Sequence, residues 1–129
     1  MVQWVLGIDV GTYHTGVAIG QSVTGLAKPL QRFNLPLKQV HADTFSALVQ
    51  QWKVNCIVIG LPSLADGKKH PLSDEIHRLA DECIKLYGVP VHFIDETLTS
   101  HAAQMRFPKT IDKDSAAAAV IVEDFLSSH

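Results

Sequence analysis

Along the first third of the chain, apolar positions alternate with polar or small ones. Val2, Trp4, Leu6 and Ile8 form one such series, with Val5 also apolar. They predict a strand that stops at Asp9-Val10-Gly11. Gly16-Val17-Ala18-Ile19-Gly20 predicts a short second strand bounded by glycines. Leu26 to Phe33 predicts a third, which Pro29 confines to an edge or irregular position. Connections this short favour antiparallel neighbours.

Near residue 40 the period changes. Phe45, Leu48, Val49 and Trp52 share one helical face, with Asp43 placed to cap its start. Cys56-Ile57-Val58-Ile59 is continuously apolar, as in a strand covered on both faces, and ends at Gly60-Leu61-Pro62. A loop from Ser63 to Pro71 contains Asp66-Gly67 and Lys68-Lys69. A second helix follows, with Ile76, Leu79, Ala80, Cys83, Ile84 and Tyr87 on one stripe. Asp74 and Glu75 suit its positive end, Lys85 its negative end, and Gly88 and Pro90 terminate it. Val89 to Ile94 predicts the last strand, ending at Asp95-Glu96. A short helix is predicted from near Thr99 to before Pro108, and a final one from about Asp112 to Ser127. Three closely linked strands followed by two βα units predict a mixed, roughly five-stranded α/β sheet with helices on both faces.

Composition narrows the class. With 129 residues, 47% hydrophobic and 19% charged, the chain reads as one globular domain spanning 1–129. Its two cysteines, Cys56 and Cys83, form neither a disulfide framework nor a CxxC metal pair, and point to a reducing, cytoplasmic setting. No stretch approaches the roughly 20 apolar residues of a membrane span. Nor does the start resemble a basic leader peptide. A net charge of −2 excludes a strongly basic nucleic-acid coat protein, but not an enzyme that grips nucleic acid through a local basic rim.

Three acids are singled out by placement. Asp9 ends the first strand, Glu96 follows the last, and Asp114 opens the final helix. Functional groups in open α/β sheets gather at strand C-terminal ends, so the three would meet at one edge. Two carboxylates about 4 Å apart repel by ~4 kcal/mol at an effective dielectric of 20, unless one is protonated or a cation lies between them. Oxygen-only donors suit Mg²⁺ or Mn²⁺, and a pair of such ions can activate water and stabilise the leaving oxygen of a phosphodiester. Plainer roles compete with this. Asp9 also suits a turn with Gly11, Asp95 and Glu96 also suit a solvated loop, and Asp114, beside Asp112 and Ser115, also suits a helix cap. Thr12 is a candidate hydroxyl donor to a phosphate. Lys68, Lys69, Arg106, Lys109 and Lys113 are candidates for a basic rim. The scattered histidines form no HxxxH or HExxH pair, which argues against zinc, and no serine sits in a nucleophile elbow.

Four blocks, taken together, resemble the YqgF (RuvX) family. They are Asp9-Val10-Gly11 with Gly16-Val17-Ala18, Ile57 to Pro62 with Asp66-Gly67, Asp95-Glu96 before Leu98-Thr99-Ser100, and Asp114-Ser115-Ala116-Ala117. The resemblance runs nearly end to end. It implies an RNase H-like fold akin to the RuvC resolvases, and a bacterial cytoplasmic nuclease for the 5′ end of pre-16S ribosomal RNA. It matches Asp9, Glu96 and Asp114 to the family's acids, with Asp95 in support. The family's usual arginine after Asp-Glu is Thr97 here, and its basic residues in the first motif are Tyr13 and His14, so positive charge is lost near the expected scissile phosphate.

The leading expectation is therefore an Mg²⁺- or Mn²⁺-dependent nuclease acting on precursor ribosomal RNA as a monomer or weak homodimer. Branched DNA is the alternative substrate. A non-catalytic RNA-binding assembly factor is the reading from a different class. An actin-like nucleotide binder also carries Asp-x-Gly after its first strand, but needs a second domain that 129 residues do not supply.

Overall fold

The computed structural model describes residues 2–62, 69–95 and 106–128. Its elements are β1 (Trp4–Val10), β2 (Thr15–Gln21), β3 (Ala27–Phe33), α1 (Ser46–Trp52), β4 (Cys56–Leu61), α2 (Ser73–Tyr87), β5 (Val91–Asp95) and α3 (Lys113–Ser128). Short 3-10 turns cover Leu37–Gln39 and Ala42–Phe45. The strands form one five-stranded sheet in the order β3-β2-β1-β4-β5. The β1-β2 and β2-β3 pairs are antiparallel, while β1-β4 and β4-β5 are parallel. The expected mixed α/β sheet is thus what forms.

Strand alternation sorts the core into two layers. Leu6, Ile8, Val17, Ile19, Ile57 and Ile59 point to one face and pack with Phe45, Ile76, Leu79 and Cys83. Val5, Ala18, Cys56 and Val58 point to the other and pack with Ala118, Ala119, Ile121, Val122 and Phe125 of α3. Helices therefore cover both faces, with α1 and α2 on one side and, among the described residues, α3 on the other.

Several boundaries differ from the sequence expectation. β1 continues through Asp9 to Val10, because both residues still pair with β2 (Asp9 with Gly16, Val10 with Thr15). Asp43 caps nothing. It lies inside the Ala42–Phe45 turn, whose entry is tied by the His41 amide donating to Thr44 Oγ1 at 3.1 Å. Ile84, placed on the α2 stripe by its period, is 45% exposed. The buried line of α2 is Ile76, Leu79, Ala80 and Cys83, one edge of that stripe. Gly88 ends α2 with φ +66°, the left-handed conformation that its missing Cβ permits. Most of the Ser63–Pro71 loop and the short helix expected near Thr99 lie outside the described residues.

Both cysteines are free and buried. Burial pushes the Cys56 thiol up to about 11. Burial, with the Glu82 charge adding to it, pushes Cys83 up to about 12. Among the described residues no helix is long and apolar enough to cross a membrane.

Candidate active site

The site is organised by how closely α3 lies on the sheet. Its first two turns run Ser115-Ala116-Ala117-Ala118-Ala119, all buried. The strand residues beneath are equally small. A Cβ on Gly16 would lie 2.1 Å from the Asp114 carbonyl carbon and oxygen, and 2.4 Å from the Ser115 nitrogen. One on Gly7 would lie 2.3 Å from Val122 Cγ2 and 2.8 Å from the Ala118 oxygen. Glycine is required at both because backbone meets backbone there, and the start of α3 is thereby pressed against the β1–β2 ladder.

The start of α3 is fixed by Asp112. Its carboxylate accepts from the Ser115 amide and from Ser115 Oγ, each at 2.7 Å. This is an N-cap arrangement, and it assigns the capping role to Asp112 rather than to Asp114. Asp114, in the first turn, is left over from capping. Its Oδ2 is buried and makes no hydrogen bond. Among the described residues it is ion-paired with Arg32, whose Nη1 lies 3.8 Å away.

Asp9 belongs to the same place. It has the parity of Val5 and Gly7, which face α3, so its side chain projects from that face of the sheet. It is paired directly across from Gly16, the residue that α3 touches through Asp114. Asp9 and Asp114 therefore flank one glycine on one face, at the C-terminal end of the central strand. Gly16 is in turn paired with Arg32 on β3, so Arg32, Gly16 and Asp9 form one row across the sheet beneath the start of α3.

The other predicted residues are distributed unevenly. Glu96 and Lys68 lie outside the described residues. β5 ends at Asp95, paired with Leu61, and Ile94 faces α3. Thr12 is exposed in the hairpin between β1 and β2, which Gly11 closes by donating to the His14 carbonyl at 2.9 Å. Lys69 is ion-paired with Asp74 at the start of α2. Arg106 bonds Glu123 at 2.7 Å and lies over the Phe107 ring at 4.5 Å. Glu123 is nine residues beyond Asp114, roughly 13 Å along the helix, so Arg106 is not brought to the acids. Lys109 and Lys113 border a cavity of 410 Å³ with Phe107, Pro108, Ile111 and Ala116. Among the described residues no three metal-type side chains come together. Of the three acids expected, Asp9 and Asp114 lie among the described residues.

Sequence reasoning missed two residues of this arrangement, Asp112 and Arg32. The first was visible only as one of two aspartates before Ser115, and the bonds to Ser115 are what separate it from Asp114. The second was not visible, because its direction depends on an irregularity in β3.

This sheet order, with a helix laid across its central strands, is the mixed α/β, RNase H-like fold of the resolvases. Solved structures share the fold. *T. thermophilus* RuvC in complex with a Holliday junction superposes with a TM-score of 0.60 at 13% identity, covering 98% of this chain and 94% of that one. The fowlpox virus Holliday junction resolvase gives 0.64 at 9% identity, covering 98% and 99%. The chain belongs to the RuvX family, described as Holliday junction resolvase, whose model matches residues 3–128. Relatives named "Putative pre-16S rRNA nuclease" include one from *Methylococcus capsulatus*, 36% identical over 131 residues, covering 95% of this chain and 87% of that protein. Another, from *Bordetella pertussis*, is 32% identical over 124 residues, covering 96% and 93%.

Proposed function

We propose that the chain acts as one unit over residues 1–129 in the cytoplasm, as a divalent-metal-dependent nuclease trimming the 5′ end of pre-16S ribosomal RNA. One observation carries this reading. Asp9 pairs with Gly16, the main chain of Asp114 rests on that same glycine, and a buried Asp114 oxygen makes no hydrogen bond. A buried carboxylate oxygen without a hydrogen bond, met only loosely by Arg32 at 3.8 Å, is stabilised further by a cation bound directly to it. Hard oxygen donors fit Mg²⁺ or Mn²⁺. Asp9 and Asp114 would hold the ion, with Glu96, which follows directly on β5, as the third ligand.

When bound, such an ion supplies charge neutralisation at a phosphoryl oxygen and a water acidic enough to attack at neutral pH. The chain's own contribution is placement. Gly16 lets the α3 backbone approach the ladder, Asp112 fixes the first turn, and both set where the Asp114 carboxylate stands relative to Asp9. The Thr12 hydroxyl, exposed in the adjoining hairpin, would donate to a phosphate oxygen. The names of the sequence relatives support precursor RNA as substrate. Branched DNA is a second reading, favoured by the family description and by the resolvase fold.

Cleavage of a 5′-extended 16S precursor RNA and of a four-way DNA junction, side by side with and without Mn²⁺, tests this. RNA is expected to be cut only with metal, and Asp9→Asn and Asp114→Asn are expected to abolish cutting. Junction cleavage without RNA cleavage would replace the substrate. RNA binding that ignores EDTA, with no cleavage under any metal, would make the protein a non-catalytic assembly factor.

A further inference from the structure

We propose that Arg32 is a phosphate-contacting residue of this site. It holds Asp114 while no cation is bound, and turns to a nucleic-acid phosphate once one is. The inference rests on the metal-site reading above and adds to it a residue from the edge strand.

The first support is register. Arg32 pairs with Gly16, and Gly16 with Asp9, so the guanidinium starts from the same row as the acid. The second is direction. Ala27 faces α3 and Lys28 lies over Trp52 on the opposite side. Strict alternation from there would turn Arg32 away from α3. Between Val17 and Ala18 the register shifts, Val17 pairing with Gln31 and Ala18 with Pro29, so Leu30 is an extra residue. The bulge reverses the parity and brings Arg32 onto the face of Asp9 and Asp114. Bulges commonly re-aim a side chain in this way.

The third support is the quality of the pair. At 3.8 Å, Arg32 Nη1 and Asp114 Oδ2 are within ion-pair reach but share no hydrogen bond, and the Arg32 side chain is 38% exposed. Arg78, by contrast, donates to Glu82 at 2.7 Å, to Glu75 at 3.0 Å and to the Val40 carbonyl at 3.0 Å. A loose pair exchanges readily. A divalent cation at Asp114 competes with Arg32 for the same oxygen, and the released guanidinium offers a planar fork of donors that matches a phosphate. Lys69 and Arg106, which are paired with Asp74 and Glu123, are not positioned to do this.

The test measures two affinities on the full chain. Mn²⁺ binding is followed by titration calorimetry without RNA. Binding of the 16S precursor fragment is followed by fluorescence anisotropy in Ca²⁺ across a salt series. Arg32→Gln is expected to bind Mn²⁺ about two- to five-fold more tightly, since a competitor worth one partly exposed ion pair is gone. It is expected to bind RNA on the order of 3–10-fold more weakly, with the slope of log K against log salt reduced by about 0.7 to 0.9. Arg32→Lys should restore the salt slope. Opposite movement of the two affinities distinguishes this role from a structural prop, whose loss would weaken both. No change in either affinity, or a fall in both, overturns the proposal. Absence of Mn²⁺ binding by the unsubstituted chain overturns the site reading itself, and with it the role of Arg32.

Discussion

Gly16→Ala perturbs the proposed site without touching any charged group. The added Cβ would stand 2.1 Å from the Asp114 carbonyl, where ordinary contact begins at 3.4 Å. Its nearest neighbours are main-chain atoms of α3, so no flexible side chain can give way. The start of α3 must lift by about 1.3 Å, carrying the Asp114 carboxylate away from Asp9. Overpacking of this kind costs about 1–3 kcal/mol, a fall in Tm on the order of 5–10 °C for a chain of this size. The expected loss of activity is larger, because a displacement near 1 Å at reacting groups can lower a rate about 10²-fold. Gly7→Ala is the comparison. Its Cβ would also clash with α3, but against Val122 and Ala118, beyond the first turn. Thermal melts and precursor-RNA cleavage, measured below both midpoints, separate the two variants. Gly7→Ala should lose stability and keep more of its rate per folded molecule, while Gly16→Ala loses both. Wild-type stability and rate in Gly16→Ala would refute the close-approach reasoning.

Further outcomes follow from other contacts. Asp112→Ala should destabilise the chain by about 1 kcal/mol in denaturant melts through loss of the α3 cap, and Asp112→Ser should recover most of it. Asp114→Asn should abolish cleavage with little change in Tm, since its buried Oδ2 makes no hydrogen bond and the substitution removes only the loose, partly exposed pair with Arg32. Burial alone would raise the Glu82 carboxyl, but hydrogen bonds from Arg78, the Ala42 amide and the His41 ring hold it below the ordinary range. That stability is present above the unfolded carboxyl value of about 4.3 and is lost as pH falls through the lower folded one. Glu82→Gln should therefore lower stability at neutral pH and flatten its decline in acid, as read from melts across pH. Cys56 and Cys83, pushed up to about 11 and about 12, should react with a disulfide reagent at pH 7 only after denaturation.

Much of this architecture was legible because burial on each face leaves a distinct pattern. The alternation of β1 and the apolar run of β4 marked both as strands, the α2 stripe marked the crossover between β4 and β5, and the pairing of β1 with β4 is what the structure adds. Asp9 could be assigned to a strand end, since a charged residue directly after a buried series has few other places to be. The choice between Asp112 and Asp114 as cap was not legible. Both suit a helix start, and only the bonds to Ser115 separate them. Arg32 was hidden by physics that leaves no periodic mark. One extra residue at Leu30 inverts every side chain after it, and a sequence read by strict alternation sends Arg32 to the wrong face. Arg106, chosen for its charge, illustrates the reverse. Its position was set by Glu123, a partner that spacing alone did not reveal.

A divalent ion shared by Asp9 and Asp114 is the central claim, and it can be located directly. Crystals grown with Mn²⁺ and measured for anomalous scattering should show a peak within about 2.2 Å of carboxylate oxygens from both Asp9 and Asp114. A strong Mn²⁺ peak elsewhere on the chain, with those two carboxylates unliganded, would contradict it.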